Sequence, residues 1–164
     1  MRHMSFRRLT LALCVVGFAA TPALANTSHA GWPSPLVRQQ NKLNLDETIT
    51  GRPGVHNELL GGAGNDTIVA ANDGDVLWGD YNPDNNPTTQ VDRLTGGTGK
   101  DFIYASHGTN YITTNGGGDV IHAHYGRGQI HCGSKTDLVY ISHKSLPHYK
   151  LTGCKRISFK TLGF

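Results

Sequence analysis

The chain has 164 residues, 21 glycines, only two tryptophans and five phenylalanines, and a formal net charge of +3. Arg2, Arg7 and Arg8 account for that whole excess, and beyond residue 25 basic and acidic residues balance. The balance argues against a nucleic-acid or membrane-surface partner. The shortage of large apolar residues argues against a wide globular core in what is one domain's worth of sequence.

Residues 1–25 read as a secretory signal peptide. Arg2, Arg7 and Arg8 form a basic start, Leu9 to Ala20 is almost wholly apolar, and Ala23-Leu24-Ala25 is a small-x-small cleavage site. The apolar run falls short of the ~20 residues that span a bilayer, and Pro22 follows it. Leu11-Ala12-Leu13-Cys14 is a weak lipoprotein box, because Leu13 is a poor residue before the cleavage and the apolar run continues to Ala20. Residues 26–50, with Pro33, Pro35 and a Gln39-Gln40-Asn41 run, read as an irregular lead-in.

From residue 51 to 140 the chain repeats every nine residues. Gly61-Gly62-Ala63-Gly64-Asn65-Asp66-Thr67-Ile68-Val69 is the clearest unit. Asp75/Leu77, Asp92/Leu94, Asp101/Ile103, Asn110/Ile112, Asp119/Ile121 and Asp137/Val139 keep its frame, and Gly128/Ile130 keeps it without the acid. Each unit is a turn of about six residues and a three-residue strand whose middle residue points inward. The inward series is Leu59, Ile68, Leu77, Leu94, Ile103, Ile112, Ile121, Ile130 and Val139. The chain must reverse after each strand, so two units make one coil and coils stack at ~4.8 Å. The expected fold is all-β: a parallel β-roll, a two-sheet solenoid with a loop at residues 81–91. Residues 141–164 form its C-terminal cap.

Turns of alternate units share an edge. Taking 81–91 as one irregular unit, one edge carries Asp66, Asp84, Asp101, Asp119 and Asp137. The other carries Asn57, Asp75, Asp92, Asn110 and Gly128. The first edge is complete in acids and holds most paired glycines. A row of carboxylates at the coil spacing repels itself, and a divalent ion between successive turns cancels that repulsion. Calcium suits the pattern, because it takes six to eight oxygens from carboxylates and backbone carbonyls. Carbonyls converge on an ion where glycine frees the turn from a Cβ. The expected ligands are Asp66, Asp84, Asp101, Asp119 and Asp137 with the turn glycines Gly61, Gly64, Gly96, Gly99 and Gly117. Asp75 and Asp92 are weaker candidates.

Gly61 to Val69 and Gly96-Gly97-Thr98-Gly99-Lys100-Asp101-Phe102-Ile103-Tyr104 resemble, at every defined position, the hemolysin-type calcium-binding (RTX) repeats of secreted bacterial proteins. Gly117-Gly118-Asp119-Val120-Ile121 is a partial match. The resemblance implies a calcium-stabilised β-roll working outside the cell as a binding or structural module. It implies no enzymatic activity, since such repeats occur in very different proteins. An exported enzyme or carbohydrate-binding protein built on the roll is the alternative reading.

Cys132 and Cys154 are the two cysteines of an exported chain and are expected to pair. The bridge would fasten the last repeat to the tail, as Cys132-Gly133-Ser134-Lys135-Thr136-Asp137 followed by Cys154 resembles the closing repeat of small secreted members. His107, His122, His124, His131, His143 and His148 are expected to be solvated rather than metal ligands. His122 and His131 fall on opposite sheets, and His107 and His124 differ in turn position. Ser142-His143 beside Asp137 is not a triad, because adjacent residues on an extended chain point apart.

The sheet after the acid-complete turns would show Thr67, Val69, Phe102, Tyr104, Val120, His122, Leu138 and Tyr140 outward. The other sheet would show Val76, Trp78, Arg93, Thr95, Tyr111, Thr113, Gln129 and His131. An apolar stripe of that length rarely stays exposed. Either a flanking segment folds over it, which is the favoured reading, or the Phe102/Tyr104/Val120/Leu138/Tyr140 face meets an extracellular glycan or protein.

Overall fold

A computed structural model describes residues 31–40, 45–80 and 88–161. The signal-peptide reading of residues 1–25 and the proposed ligand Asp84 lie outside these residues.

Glycine-rich turns alternate with strands too short to stand alone, so each strand finds its partner one coil away. The strands are β1 (Leu36–Gln40), β2 (Thr48–Thr50), β3 (His56–Leu60), β4 (Thr67–Val69), β5 (Val76–Trp78), β6 (Val91–Thr95) and β7 (Phe102–Tyr104). They continue as β8 (Thr109–Thr113), β9 (Val120–Ala123), β10 (Arg127–His131), β11 (Leu138–Ile141), β12 (Tyr149–Thr152) and β13 (Arg156–Ser158). A single 3-10 turn, Leu146–His148, interrupts them among the described residues.

Odd strands from β3 to β13, headed by β1, form one seven-stranded sheet, and even strands form a six-stranded sheet. Every pairing is parallel. Parallel strands need a crossover, and here the crossover is a strand of the opposite sheet.

The register aligns the inward residues in two columns. Leu59, Leu77, Ile103, Ile121, Val139 and Ile157 stack in the odd sheet. Ile49, Ile68, Leu94, Ile112, Ile130 and Leu151 stack in the even sheet. The nine residues expected to point inward are all buried in one core cluster. Branched side chains fill such columns well because they pack against their neighbours on a pleated surface.

Two boundaries move. The segment expected to be an irregular lead-in carries β1 and β2, and Ile49 enters the core. At the other end β12 and β13 continue the coil, and the Cys132–Cys154 disulfide ties β12's exit to the last acid-bearing turn.

The expected parity also changes. Coils are 18 residues apart along the roll, but Asp66 pairs with Asp92 and Asp75 with Asp101 at a separation of 26. Eight extra residues therefore sit inside the single turn from β5 to β6. Treating them as a whole unit exchanged the edges before the loop. Thr67 and Val69 stack on Arg93 and Thr95, while Val76 and Trp78 stack on Phe102 and Tyr104.

The correction assembles an aromatic column on the odd sheet's outer face. Trp78, Tyr104, His122 and Tyr140 stack in succession at centroid distances of 3.9, 4.6 and 5.1 Å. Trp32 packs edge-on against Trp78 and Tyr104, and its Nε1 donates to the Tyr104 hydroxyl. Trp32 and Leu36 thus cover the N-terminal half of the stripe, as the favoured reading expects. His122 and His124 are buried, contrary to the solvated histidines expected, because the column and the adjoining turn enclose them.

Replacing Ile103 by alanine at the middle of the column should cost ~2–5 kcal/mol of folding stability. Ile157→Ala, at the half-open end of the same column, should cost less than about 1 kcal/mol. Urea unfolding of both variants measures the difference, and equal losses would contradict a core confined between the sheets.

Candidate metal centre on two edges of the roll

The acid of each unit lies just before its strand, so strand pairing dictates which acids meet. Edge one, where turns lead into odd strands, carries Asn57, Asp75, Asp101, Asp119 and Asp137. Edge two carries Glu47, Asp66, Asp92, Asn110 and Gly128. Asp75 and Asp66 have exchanged the places expected from sequence, so the acid-complete edge runs from Asp75 rather than Asp66.

The side chains do not face solvent. Asp66, Asp75, Asp92, Asp101, Asp119 and Asp137 are all fully buried. On edge one each Oδ1 accepts the backbone N–H of the acid-position residue one coil earlier. Asn57 donates to Asp75 at 2.6 Å, Asp75 to Asp101 at 2.7 Å, Asp101 to Asp119 at 2.7 Å and Asp119 to Asp137 at 2.9 Å. The Oδ2 atoms turn back to their own turns: Ala71 N–H donates to Asp75, Gly97 N–H to Asp101 and Ser134 N–H to Asp137. Asp119 breaks the pattern, for its buried Oδ2 has no hydrogen-bond partner.

Edge two starts alike and ends differently. Glu47 N–H donates to Asp66 Oδ1 and Asp66 N–H to Asp92 Oδ1. Asp66 Oδ2 is a second buried oxygen without a partner. Beyond Asp92, neutral groups close the edge. Ser106 Oγ donates to Asp92 Oδ2 at 2.7 Å, and the Asn110 amide oxygen accepts from Ser106 N–H. Tyr149 occupies the register position after Gly128. Its hydroxyl reaches two coils back, accepting from Asn110 Nδ2 at 3.2 Å and donating to Tyr125 O at 2.8 Å. Nothing in the nonapeptide announced Tyr149, because it stands 21 residues past Gly128, outside the period.

The glycines serve mainly to let turns touch. A Cβ at Gly97 would lie 1.6 Å from Ala71 O, and one at Gly117 2.1 Å from Gly99 O. Of the expected ligand glycines, Gly64 and Gly117 adopt the left-handed backbone. Gly61, Gly96 and Gly99 do not; each is required instead because an added Cβ would strike Gly79 O, its own turn's Asp101 Oδ2 or Gly74 N respectively.

Burial raises the pKa values of these aspartates. Loss of water pushes Asp66 and Asp101 up to about 6 and Asp119 up to about 7, and raises Asp92. Neighbouring carboxylates add to the effect: Asp75 on Asp101, and Asp101 and Asp137 on Asp119. The backbone N–H donors oppose it.

A hard cation fits this donor set. The orphaned Asp119 Oδ2 and Asp66 Oδ2 are buried anionic oxygens beside turns whose carbonyls press on the next coil. Among the described residues, no three His, Cys, Asp or Glu side chains could hold an ion together. The ion would therefore draw on backbone carbonyls as well, which is calcium's habit. Ions between successive turns would draw on Asp75, Asp101, Asp119 and Asp137 along edge one, and on Asp66 and Asp92 along edge two.

Residues 56–80 and 88–121 match the family model of the RTX calcium-binding nonapeptide repeat, in four copies. Residues 56–121 carry RTX calcium-binding nonapeptide repeats. The interval between the matched segments coincides with the insertion that shifts the parity of the coils. No curated protein and no solved structure matched the chain. No helix among the described residues is long and apolar enough to cross a membrane.

Two outcomes follow from the site. Asp66, Asp101 and Asp119 have folded-state pKa values above the unfolded value of 3.8, so folding disfavours their ionised forms. Their contribution is present below about pH 4 and lost as pH rises through about 6 to 7. Thermal melting of the calcium-free chain should therefore fall between about pH 5 and pH 8. Calcium needs the ionised forms, so its binding should release protons at about pH 6 and fewer at about pH 8; a melting point that climbs over this range without calcium would contradict the arrangement.

Tyr149→Phe removes one buried and one part-buried hydrogen bond and should cost ~1–3 kcal/mol, with calcium stoichiometry unchanged. Fewer bound ions in that variant would show that edge two's closed end also takes part in binding.

Proposed function

We propose that this RTX chain is exported and folds outside the cell around calcium ions held between successive turns, chiefly along edge one. Asp119 Oδ2 carries the reading: a fully buried carboxylate oxygen without a partner, inside an unbroken acid ladder. Each ion would replace carboxylate repulsion with attraction and bring adjacent coils together. Edge two supports fewer ions, because Ser106, Asn110 and Tyr149 already join its coils with neutral hydrogen bonds.

The disulfide suits an oxidising compartment, and the leader-like residues 1–25 supply the route. The folded roll would act as a binding or structural module rather than an enzyme. A protein or glycan partner would meet the half-buried Val120, Leu138 and Tyr140. Phe102 and Tyr104, each about 5% exposed, lie under Trp32 and are withdrawn from that face.

Calorimetric titration with calcium, joined to circular dichroism in EGTA and after calcium addition, tests the proposal. A gain of β-structure and a higher melting point are expected. An ion present at ~100 times its Kd stabilises the native state by ~2.7 kcal/mol. Asp101→Ala should weaken binding more than Asp92→Ala, since Asp101 has acids on both sides and Asp92 adjoins Asn110. Identical melting with and without calcium would overturn the reading. Mass analysis of the secreted chain tests export separately, with cleavage expected after Ala25.

A further inference from the structure

Where edge two has lost its carboxylates, a cleft of about 430 Å³ opens. Stretches far apart in sequence meet there, with Thr161 from the C-terminal tail among them. The turn before β8 contributes His107, the turn before β10 contributes His124 and Tyr125, and the crossover to β12 contributes Lys144, Ser145 and His148. No acidic side chain is among its described lining residues.

Direct hydrogen bonds hold the walls of the cleft in place. Ser145 Oγ donates to His124 O at 2.6 Å, and Ser145 N–H donates to Ser142 Oγ. The Tyr149 hydroxyl fixes the Tyr125 carbonyl. One wall is aromatic: the half-exposed Tyr125 ring stacks on His107 at 4.4 Å between centroids. Lys144 and His148 are exposed lining residues at its rim. The buried His107 Nδ1 has no hydrogen-bond partner. The volume lies within the range of small-molecule sites, which join an apolar wall to a few placed polar groups.

The Lys144 ammonium, with no acidic side chain among the described lining residues, favours an anion, and imidazole N–H groups can donate to it. Among the described residues no three His, Cys, Asp or Glu side chains converge here. The volume and the flat wall favour a ring beside the charge.

We propose that this cleft binds a small organic anion, an aromatic ring bearing a carboxylate or sulfate, with the ring against Tyr125 and the oxyanion facing Lys144 and His148. None of its lining residues is itself a proposed calcium ligand, and the site does not rest on the calcium reading.

The test is an NMR titration of the calcium-saturated full chain with four probes: 4-hydroxybenzoate, phenyl sulfate, 4-hydroxybenzamide and acetate. Saturable shifts at Tyr125 and His107 with either aromatic anion support the site. The neutral amide and the ringless acetate should bind at least about tenfold more weakly. Lys144→Met should weaken the anion about tenfold, the loss of one charge-assisted hydrogen bond, and Tyr125→Ala should weaken it as well. Tyr111→Ala, on the even sheet's outer face, should change nothing.

Equal binding of the amide, equal binding of acetate, or unchanged affinity in both Lys144→Met and Tyr125→Ala would each overturn the proposal, as would no saturable binding. Lys144→Met and His148→Ala alter exposed side chains, so they keep the test open if Tyr125→Ala fails to fold. Melting curves report calcium and the Tyr125 shifts report the anion, so either reading can fail alone.

Discussion

Stacking buries carboxylates in register, and the rest of the molecule answers to that. A parallel coil spacing of ~4.8 Å brings each aspartate against the same residue of the next coil, where neither water nor distance separates the charges. Backbone N–H groups meet one oxygen of each carboxylate and part of the other. They do not cancel the charge, as the raised pKa values of Asp101 and Asp119 reflect. A ladder of this kind is tolerable in two ways: with cations between its rungs, or with the rungs made neutral.

The two edges of the roll differ in this respect. Edge one keeps Asp75, Asp101, Asp119 and Asp137 and leaves an oxygen of Asp119 unpartnered. Edge two replaces its rungs in order: Asn110 for an acid, Gly128 for any side chain, then a tyrosine whose phenol reaches back to Asn110. A neutral amide and a phenol need no ion. The same end carries the disulfide and the hydroxyl contacts from Ser142 and Ser145 to the His124 carbonyl. The C-terminal coils are thus joined by direct bonds at this end of edge two.

The outer faces divide just as unequally. Trp78, Tyr104, His122 and Tyr140 make a continuous stack only because the insertion after β5 leaves Trp78 on the odd sheet. A column of rings that long is apolar surface, and Trp32 and Leu36 remove part of it from water. His122 is held as an aromatic spacer within it, which explains why this histidine is buried although it stands at an outward position.

The repeat determined much of the protein without help. Alternation within each three-residue strand decided the inward column, because a side-chain period of two admits one buried residue per strand. Nine-residue spacing decided the winding, and aspartates beside paired glycines decided the chemistry of the turns. Cys132 and Cys154 were legible as a pair. Which aspartate faces which was decided by tertiary structure alone. The eight extra residues between β5 and β6 look in sequence like one more unit, since Asp84 nearly keeps the period. Only the pairing of Asp66 with Asp92 and Asp75 with Asp101 reveals that they add no strand to the stack. A coil edge is a parity, and parity is lost across any insertion whose ends meet in space. For the same reason Tyr149, the cleft beside it and the cover over Tyr104 were invisible: each depends on residues that no period connects.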